Sequence, residues 1–360
     1  MHIEQHMQCL VGDGIGQYRL DDNFKIPKCR PGTILCKVRA VALNPVDAKM
    51  ADYSANPGAL GGNDFAGDVV EVGEQVTNGI KVDDRVFAMV FGLNPSDKSS
   101  GAFGEYALAT ADLACKIPDW LSYEEASSMG ISIGTAGAAL FQMLLQLPLP
   151  GLEDRENRMK DQNCHVLVSG GATATGTIAI QLLKWAGFVP IATCSPANAD
   201  LVRSRGAEKT FDYHSPGCGA EIRSWTNNSL AYVLDCISSA STMTMCYEAI
   251  GSSGGRYVAL DPFPTAVQYT RRDVKADWLM VYTLFGDPVK LAGAYGRPQI
   301  PENREFAASL FSLAQRLIDN RMLKNHPIYN RPGKLQDLVQ GIEELRMGRV
   351  TAQKLVYTLV

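Results

Sequence analysis

The sequence predicts an α/β protein in which a β-rich domain is joined to a doubly wound parallel sheet. Short apolar runs separated by turn residues fill the chain as far as Lys116. A unit of strand, tight turn, helix and second strand then covers residues 165–194. From there to Leu260, strand-length apolar runs alternate with helical patterns, as in a parallel sheet covered by helices on both faces.

Composition narrows the class of protein. A chain of 360 residues, 46% hydrophobic and 20% charged, is long enough for two domains and is typical of globular proteins. A net charge of −4 without a basic block argues against nucleic acid or an anionic membrane as partner. The N-terminal residues lack the features of a signal peptide, and the nine cysteines lack a CxxC pair, so we expect reduced thiols and a cytoplasmic location.

The β-rich domain contains one segment suited to chemistry. Strands are predicted at residues 34–38, 69–72 and 85–88. After the first of them, Asn44-Pro45 interrupts the strand, because proline cannot continue a sheet ladder. Asp47 and Lys49 therefore lie on a turn or a first helical turn, where functional side chains often occur.

The turn at residues 169–176 is the candidate nucleotide site. Gly171 and Gly176 hold the outer positions of a G-x-G-x-x-G pattern, but Thr173 stands at the middle one. Glycine lets the backbone approach a pyrophosphate, and the amides at a helix N-terminus donate to it. The alternative is a strand-to-helix turn that binds nothing.

The end of the next strand, at residues 188–193, indicates which nucleotide binds. NAD sites place a carboxylate there to accept from the ribose hydroxyls, whereas this chain offers Ser195 and Asn198. Tyr213, after the following strand, adds a phenol. Hydrogen bonds to a charged phosphate contribute about 1.5–3 kcal/mol each, so these donors favour NADPH. Ser195-Pro196 can equally begin a helix, which is compatible with this role.

The remaining elements continue the α/β rhythm. Helices are predicted at residues 123–129, 220–225 and 241–250, and strands at 232–237 and 256–260. Helical patterns at residues 306–317 and 335–345 then precede a strand-like tail at residues 354–360.

Three motifs resemble those of the medium-chain dehydrogenase/reductases. These are G-x-D-x-x-G at residues 62–67, VDDRV at 82–86 and GAFGEY at 101–106, and the resemblance extends along essentially the whole chain. It implies a GroES-like catalytic domain formed by residues 1–150 and 290–360, and a Rossmann cofactor domain formed by residues 151–289. In this family the C-terminal tail rejoins the catalytic domain.

The zinc branch of this family is not expected here. Asn63 stands at the position of its histidine ligand and Asp64 at the acidic position, while residues 44–47 occupy the place of its first cysteine. Tetrahedral zinc needs cysteine, histidine or carboxylate ligands in sufficient number, so we predict a zinc-independent protein.

Within the family, several segments resemble the stand-alone trans-acting enoyl reductases of fungal polyketide pathways. They include residues 168–177, 192–198 and 204–213. The resemblance implies NADPH-dependent reduction of the α,β double bond of an enoyl thioester on the acyl carrier protein of a partner polyketide synthase. It also implies a monomer.

The resemblance further implies the site residues. Cofactor contacts are implied for Val46, Asp47, Ala48, Lys49, Ala172, Thr173, Ala174, Thr175, Ser195, Pro196, Ala197, Asn198, Tyr213, Leu260, Asp261, Arg349 and Val350. The acyl chain is implied to contact Thr135, Met280, Val281, Tyr282, Thr283 and Leu284. Lys49 and Thr135 are the implied catalytic residues. The alternatives are a solvated or ion-paired lysine and a helix-capping or buried threonine.

Two other functions compete with this interpretation. A free-standing NADPH-dependent quinone or enone reductase has the same fold, cofactor and metal-free chemistry. A nucleotide-binding scaffold without activity is the second. For carrier-protein docking, Arg271, Arg272 and Lys275 are candidates, although a solvated charged face explains them as well.

Overall fold

The computed structural model describes residues 5–54, 56–149 and 164–359. The strands are β1 His6–Gly14, β2 Gln17–Lys25, β3 Thr33–Ala42, β4 Asp64–Val72, β5 Arg85–Met89, β6 Tyr106–Thr110, β7 Ala114–Lys116, β8 His165–Ser169, β9 Val189–Cys194, β10 Lys209–Asp212, β11 Tyr232–Asp235, β12 Gly255–Ala259, β13 Val274–Trp278, β14 Ile328–Pro332 and β15 Lys354–Thr358. The α-helices are α1 Pro45–Tyr53, α2 Tyr123–Ser127, α3 Gly130–Gly137, α4 Ala174–Trp185, α5 Ala199–Ser204, α6 Cys218–Trp225, α7 Ala240–Ala249, α8 Thr265–Gln268, α9 Pro301–Asp319 and α10 Leu338–Arg346.

The chain forms two compact units. The first contains Met1–Gly134 and Tyr282–Val360, and the second contains Thr135–Val281. The boundary predicted after residue 150 falls outside the described residues. Residues 282–289, assigned to the cofactor domain from the sequence, belong to the first unit, where the Tyr282 ring stacks on Phe91 with centroids 3.7 Å apart. The functional domain boundaries stay a prediction.

The first unit is β-rich. Its larger sheet has the order β14-β15-β3-β4-β5-β7, with β6 also pairing with β3, and β1 and β2 form a separate antiparallel pair. Along the middle of β3, Lys37 and Arg39 are outside the core while Cys36, Val38 and Ala40 are buried, the period-two pattern of a half-buried strand. The C-terminal strand β15 pairs with β3, so the tail completes this sheet.

Pro45 fixes where β3 ends and α1 begins. The predicted strand at residues 34–38 extends to Ala42, because Ala40, Val41 and Ala42 are fully buried. Pro45 then occupies the first turn of α1, where a missing N–H carries no cost and the fixed φ suits a helix. Lys49 therefore lies on a helix whose start is set by the sequence.

The second unit is a six-stranded parallel sheet in the order β10-β9-β8-β11-β12-β13. The chain builds outward from β8 in one direction through β9 and β10, then returns to add β11, β12 and β13 on the other side. This confirms the doubly wound α/β fold. The reversal between β8 and β11 is the switch point beyond whose carboxyl ends such sheets bind ligands.

Two details of this sheet differ from the sequence prediction. The strand predicted at residues 232–237 ends at Asp235, since Ile237 is 48% exposed and lies in the following loop. The edge strand β13 was not predicted, because only Val274 among its residues is fully buried.

Candidate functional site

The glycine turn after β8 has the geometry of a phosphate-binding loop. Gly170 has a φ of +76°, which favours glycine. A Cβ on Gly176 would lie 2.4 Å from the Gly170 carbonyl oxygen, so glycine is needed there for close packing of α4 against the loop. Thr173, at the position of the missing middle glycine, accepts a hydrogen bond from the Gly176 amide at 3.0 Å and caps α4. The Ala174 and Thr175 amides, as the first two of the helix, have no acceptor within it.

The ends of β9 and β10 bring the predicted 2′-phosphate ligands to one edge. Cys194 pairs with Asp212 in parallel register, so Ser195 and Tyr213 both leave the sheet at this edge. Ser195 begins a 3-10 turn and accepts from the Asn198 amide at 3.0 Å, while the Tyr213 ring is 47% exposed. Pro196 and Ala197 complete the turn and are exposed.

Charged groups also lie near this edge, and the sequence analysis did not include them. Burial raises the pKa of the Cys194 thiol, with Arg203 lowering and Asp212 raising it, so a cation and an anion are both close to the end of β9. Arg203 donates to the Thr210 hydroxyl at 3.1 Å and pairs with Asp200. A phosphate bound here would lie near both the positive charge of Arg203 and the negative charge of Asp212.

The loops after β11 and β12 are joined by a hydrogen bond close to a buried carboxylate. Asp235 is fully buried and accepts from the Tyr257 phenol at 2.9 Å and the Thr242 hydroxyl at 2.7 Å. The Leu260 amide donates to the Ser238 hydroxyl at 2.9 Å. This last bond holds the predicted cofactor residue Leu260, and with it the adjoining Asp261, beside the loop that follows β11.

Ile237, in that loop, lies directly beside the glycine turn. A Cβ on Gly170 would lie 2.9 Å from the Ile237 side chain, and Ile237 is 48% exposed. An exposed apolar side chain at the switch point adds an apolar surface to the amides of the turn. The sequence signal for it was the apolar residue two positions after Asp235.

Lys49 lies on α1, in the first unit. Its side chain is exposed, whereas Asp47 and Ala48 beside it are buried and Val46 is half-buried. The helix starts from Asn44, whose amide donates to the Asp47 carboxylate at 2.6 Å. Asp47 is 0% exposed, and its other oxygen accepts from the Asn63 side chain at 2.7 Å. The Asp47 backbone carbonyl also accepts from the Tyr18 hydroxyl at 2.8 Å, so the cofactor contact expected of Asp47 stays a prediction.

Asn63 connects α1 to the predicted acyl-binding segment. Its side-chain oxygen accepts from the Tyr282 hydroxyl at 2.8 Å and from the Gly92 amide at 3.1 Å. Asn63 is 1% and Tyr282 2% exposed. Burial, and then the charges of Asp47 and Asp64, raise the pKa of the Tyr282 phenol, which keeps it protonated as a donor.

Asp64 forms a buried ion pair with Lys354 on β15. The Lys354 Nζ is 2.6 Å from the Asp64 Oδ2 and also donates to the Ser128 carbonyl at 3.0 Å. Asp64 additionally accepts from the Asn44 side chain and from the Ile131 amide in the first turn of α3. The pair therefore contacts both the residue that precedes α1 and the helix that carries Thr135.

Burial changes the pKa of the Asp47 carboxyl. Removal from water raises its pKa to about 7, although the hydrogen bonds from Asn44 and Asn63 act in the opposite direction. The folded protein therefore holds a proton on this carboxyl under mildly acidic conditions.

The other predicted site residues lie in several elements. Tyr282, Thr283 and Leu284 are buried in a 3-10 helix, Val281–Phe285, and the Thr283 hydroxyl accepts from Asn303 at 2.8 Å. Met280 is 8% exposed, and Thr135, in α3, is half-buried. Arg349 is exposed and Val350 half-buried, just before β15. Ala172 is half-buried within the glycine turn.

The described residues contain neither a metal-binding cluster nor a membrane-spanning helix, and their cysteines form no disulfide bonds. Residues 5–54, 56–149 and 164–359 contain no cluster of three or more histidine, cysteine or acidic side chains placed to hold a metal ion. Over the same residues, no helix is long and apolar enough to cross a membrane. Each of the nine cysteines, all within these ranges, is a free thiol.

The chain is similar to two family models and to several known proteins. Residues 30–119 match the family model described as "Alcohol dehydrogenase GroES-like domain", and residues 174–272 match "Zinc-binding dehydrogenase". A protein of Gibberella fujikuroi named "Trans-enoyl reductase" is 56% identical over 354 residues, covering 98% of this chain and 99% of its own. "Trans-enoyl reductase grgB" of a Penicillium species is 51% identical, covering 98% of each chain. Among solved structures, "CurK enoyl reductase" is similar in fold, with a TM-score of 0.75 at 16% identity and coverage of 99% and 100%.

The buried Asp47 predicts a specific pH dependence. In the unfolded chain this carboxyl loses its proton near pH 3.8, and in the folded protein near pH 7. Between these values the folded state holds the extra proton, so this group lowers stability as pH rises, by about 1.4 kcal/mol per pH unit. In Asp47→Asn the contribution disappears. The free energy of unfolding of the variant, relative to wild type, should therefore rise from pH 4 to pH 7 and stay constant above pH 8.

Urea unfolding at each pH measures this difference, with Asp22→Asn, at an exposed position on β2, as the control. The control should follow the wild-type curve. Parallel curves for Asp47→Asn and wild type would refute the assignment.

Proposed function

The chain belongs to the trans-enoyl reductase family, and from that membership we propose that it reduces the α,β double bond of an enoyl thioester carried on the acyl carrier protein of a partner polyketide synthase. The reductant is NADPH. The observation that carries the proposal is 56% identity to a trans-enoyl reductase along 98% of this chain. The same similarity favours this function over a quinone reductase or an inactive scaffold.

The cofactor half of the proposal is supported by the sheet edge of the second unit. Three glycines, two amides without helical acceptors and the Ser195 and Asn198 side chains fit a phosphorylated dinucleotide. Bound there, NADPH would supply a hydride for the β-carbon of the enoyl group. Preference for NADPH over NADH depends on donors at Ser195, Asn198 and Tyr213, and Arg203 adds positive charge near the end of β9.

Zinc independence is supported by the hydrogen bonds of the residues at the zinc-ligand positions. Although part of the chain matches a family model described as zinc-binding, the Asn63 amide donates to Asp47 and accepts from Tyr282 and Gly92. Both oxygens of Asp47 accept from Asn63 and Asn44. An asparagine amide and one hydrogen-bonded carboxylate do not make the donor set of a tetrahedral zinc site, so we assign zinc no part in the reaction.

Lys49 and Thr135 are the proposed catalytic residues. In a zinc-independent site, the negative charge that develops on the thioester carbonyl must be stabilised by cations or hydrogen-bond donors. The exposed Lys49 ammonium supplies a cation on a rigid helix, and the Thr135 hydroxyl supplies a donor. We assign to Lys49 the electrostatic stabilisation of the charge on the thioester carbonyl. The proton for the α-carbon comes from Lys49 or from water.

The partner is a carrier protein, whose surface is acidic. Of the candidate docking residues, Arg271 donates to the carbonyls of Tyr247, Ile250 and Gly251 at the end of α7, so its guanidinium is already bonded. Arg272 and Lys275 are exposed and remain the candidates. We further propose a monomer in the cytoplasm, where the free thiols are suited to a reducing environment.

An activity assay tests the proposal directly. Purified protein should oxidise NADPH in the presence of an enoyl N-acetylcysteamine thioester and yield the saturated thioester. Rates with a quinone or with buffer alone should be lower by tenfold or more. Equal rates with quinone and thioester would favour the quinone reductase, and no oxidation with either would favour the scaffold.

Lys49→Ala tests the catalytic assignment in the same assay. Loss of the ammonium should lower kcat with the thioester by tenfold or more, about 1.4 kcal/mol of transition-state stabilisation, while NADPH still binds. Lys37→Ala, at an exposed position on β3, is the control and should keep wild-type turnover. Wild-type turnover by Lys49→Ala would remove Lys49 from the mechanism.

Ser195→Ala tests the choice of nucleotide. Removal of a hydroxyl that contacts the 2′-phosphate should weaken NADPH binding about tenfold and leave NADH binding unchanged, because NADH lacks that phosphate. Fluorescence titration of both cofactors measures this, with Ser204→Ala, on α5, as the control. An unchanged NADPH affinity would refute the assignment.

A further inference from the structure

Asn63 occupies the centre of a buried chain of hydrogen bonds in the first unit. Its side-chain nitrogen donates to Asp47 at 2.7 Å, and its side-chain oxygen accepts from Tyr282 at 2.8 Å. The three residues are at most 2% exposed. They lie far apart in the sequence, so the chain of bonds, here called the Asn63 bridge, joins separate parts of the fold.

The two ends of the Asn63 bridge lie on segments proposed to handle the substrate. Asp47 is two residues before Lys49 on α1. Tyr282 belongs to the 3-10 helix Val281–Phe285, with Thr283 and Leu284 of the proposed acyl-binding segment beside it. A shift of either segment would stretch or break a bond of the bridge.

The hydrogen bonds favour one orientation of the Asn63 side-chain amide. The Gly92 amide also donates to the Asn63 oxygen at 3.1 Å, so turning the Asn63 amide over would direct its NH₂ group at the Gly92 N–H and its oxygen at the Asp47 carboxylate. The Tyr282 ring is held in a stack on Phe91, with ring planes 5° apart. The bridge therefore sets the distance between α1 and the 3-10 helix that contains Tyr282.

We propose that Asn63 is a positioning residue that fixes the acyl-binding segment at Tyr282 relative to the helix of Lys49, and so sets where the thioester lies against the Lys49 ammonium. The inference depends on the proposed function, since it assumes that Lys49 acts on an enoyl thioester. Asn63 itself need not contact the substrate. Its effect on turnover passes through Lys49.

A double-mutant cycle between Tyr282→Phe and Lys49→Ala tests this. Tyr282→Phe keeps the ring stacked on Phe91 and removes only the hydroxyl that donates to Asn63. With an enoyl N-acetylcysteamine thioester, we expect it to lower kcat/KM at least fivefold in the wild-type background and less than twofold in the Lys49→Ala background. The Kd for NADPH should stay within twofold of wild type. Asn63→Ser, as a second variant, should show the same dependence on background.

A purely structural role predicts the same loss in both backgrounds. Tyr123→Phe is the matched control, because it removes a tyrosine hydroxyl that donates to a carboxylate, Asp68, in the same unit. It should leave kcat/KM within twofold of wild type.

The outcomes separate this inference from the proposed function. The inference alone would be overturned if the wild-type protein turns over the thioester and Tyr282→Phe lowers kcat/KM equally in both backgrounds. It would likewise be overturned if Tyr282→Phe lowers kcat/KM in neither. Absence of thioester turnover by the wild-type protein would overturn the proposed function and the inference with it.

Discussion

The buried ion pair between Asp64 and Lys354 is the constraint around which the first unit is organised. With Lys354 4% and Asp64 0% exposed, the cost of removing both charges from water must be offset by close partners. The 2.6 Å contact does this together with hydrogen bonds from the Asn44 side chain and the Ile131 amide to Asp64, and from Lys354 to the Ser128 carbonyl. Because Lys354 lies on β15, Asn44 directly precedes α1 and Ile131 lies on α3, the ion pair connects these three elements.

The same network supports the proposal of a site without zinc. Asn63 and Asp64 are neighbours on the chain, yet they serve different purposes. Asp64 holds the C-terminal strand through Lys354, and Asn63 holds Tyr282. Asp47 bonds to Asn63 and to the Asn44 amide, so polar side chains at the zinc-ligand positions satisfy one another. Burial raises the pKa of Asp47 to about 7.

In the second unit the constraint is the parallel sheet itself. Since parallel strands end at one edge, the loops after β8, β9, β10, β11 and β12 are brought together there. Thr173 shows how this edge tolerates a departure from the glycine pattern, because its hydroxyl caps α4 by accepting a hydrogen bond from the Gly176 amide. Asp235 then fixes the next loop through Tyr257 and Thr242, which leaves Ile237 beside Gly170.

The sequence predicted those features that depend on local patterns. The parallel sheet, the turn at Gly170 and the helix start at Pro45 follow from apolar periodicity and from the special φ of glycine and proline. The pairing of Lys354 with Asp64 spans 290 residues and that of Tyr282 with Asn63 spans 219, and no local pattern indicates such contacts. Ile237 was missed for a related reason. Its apolar character predicts a strand, whereas its amide donates to the Asp235 side chain in a loop after β11.

The central claim is that hydrogen-bonded side chains replace metal ligands in a working reductase. Elemental analysis of protein that turns over an enoyl thioester, before and after dialysis against a chelator, tests this claim most directly. We expect far less than one zinc ion per chain, and turnover after dialysis equal to that before it. About one zinc per chain, with turnover lost on its removal and restored by its return, would contradict the account.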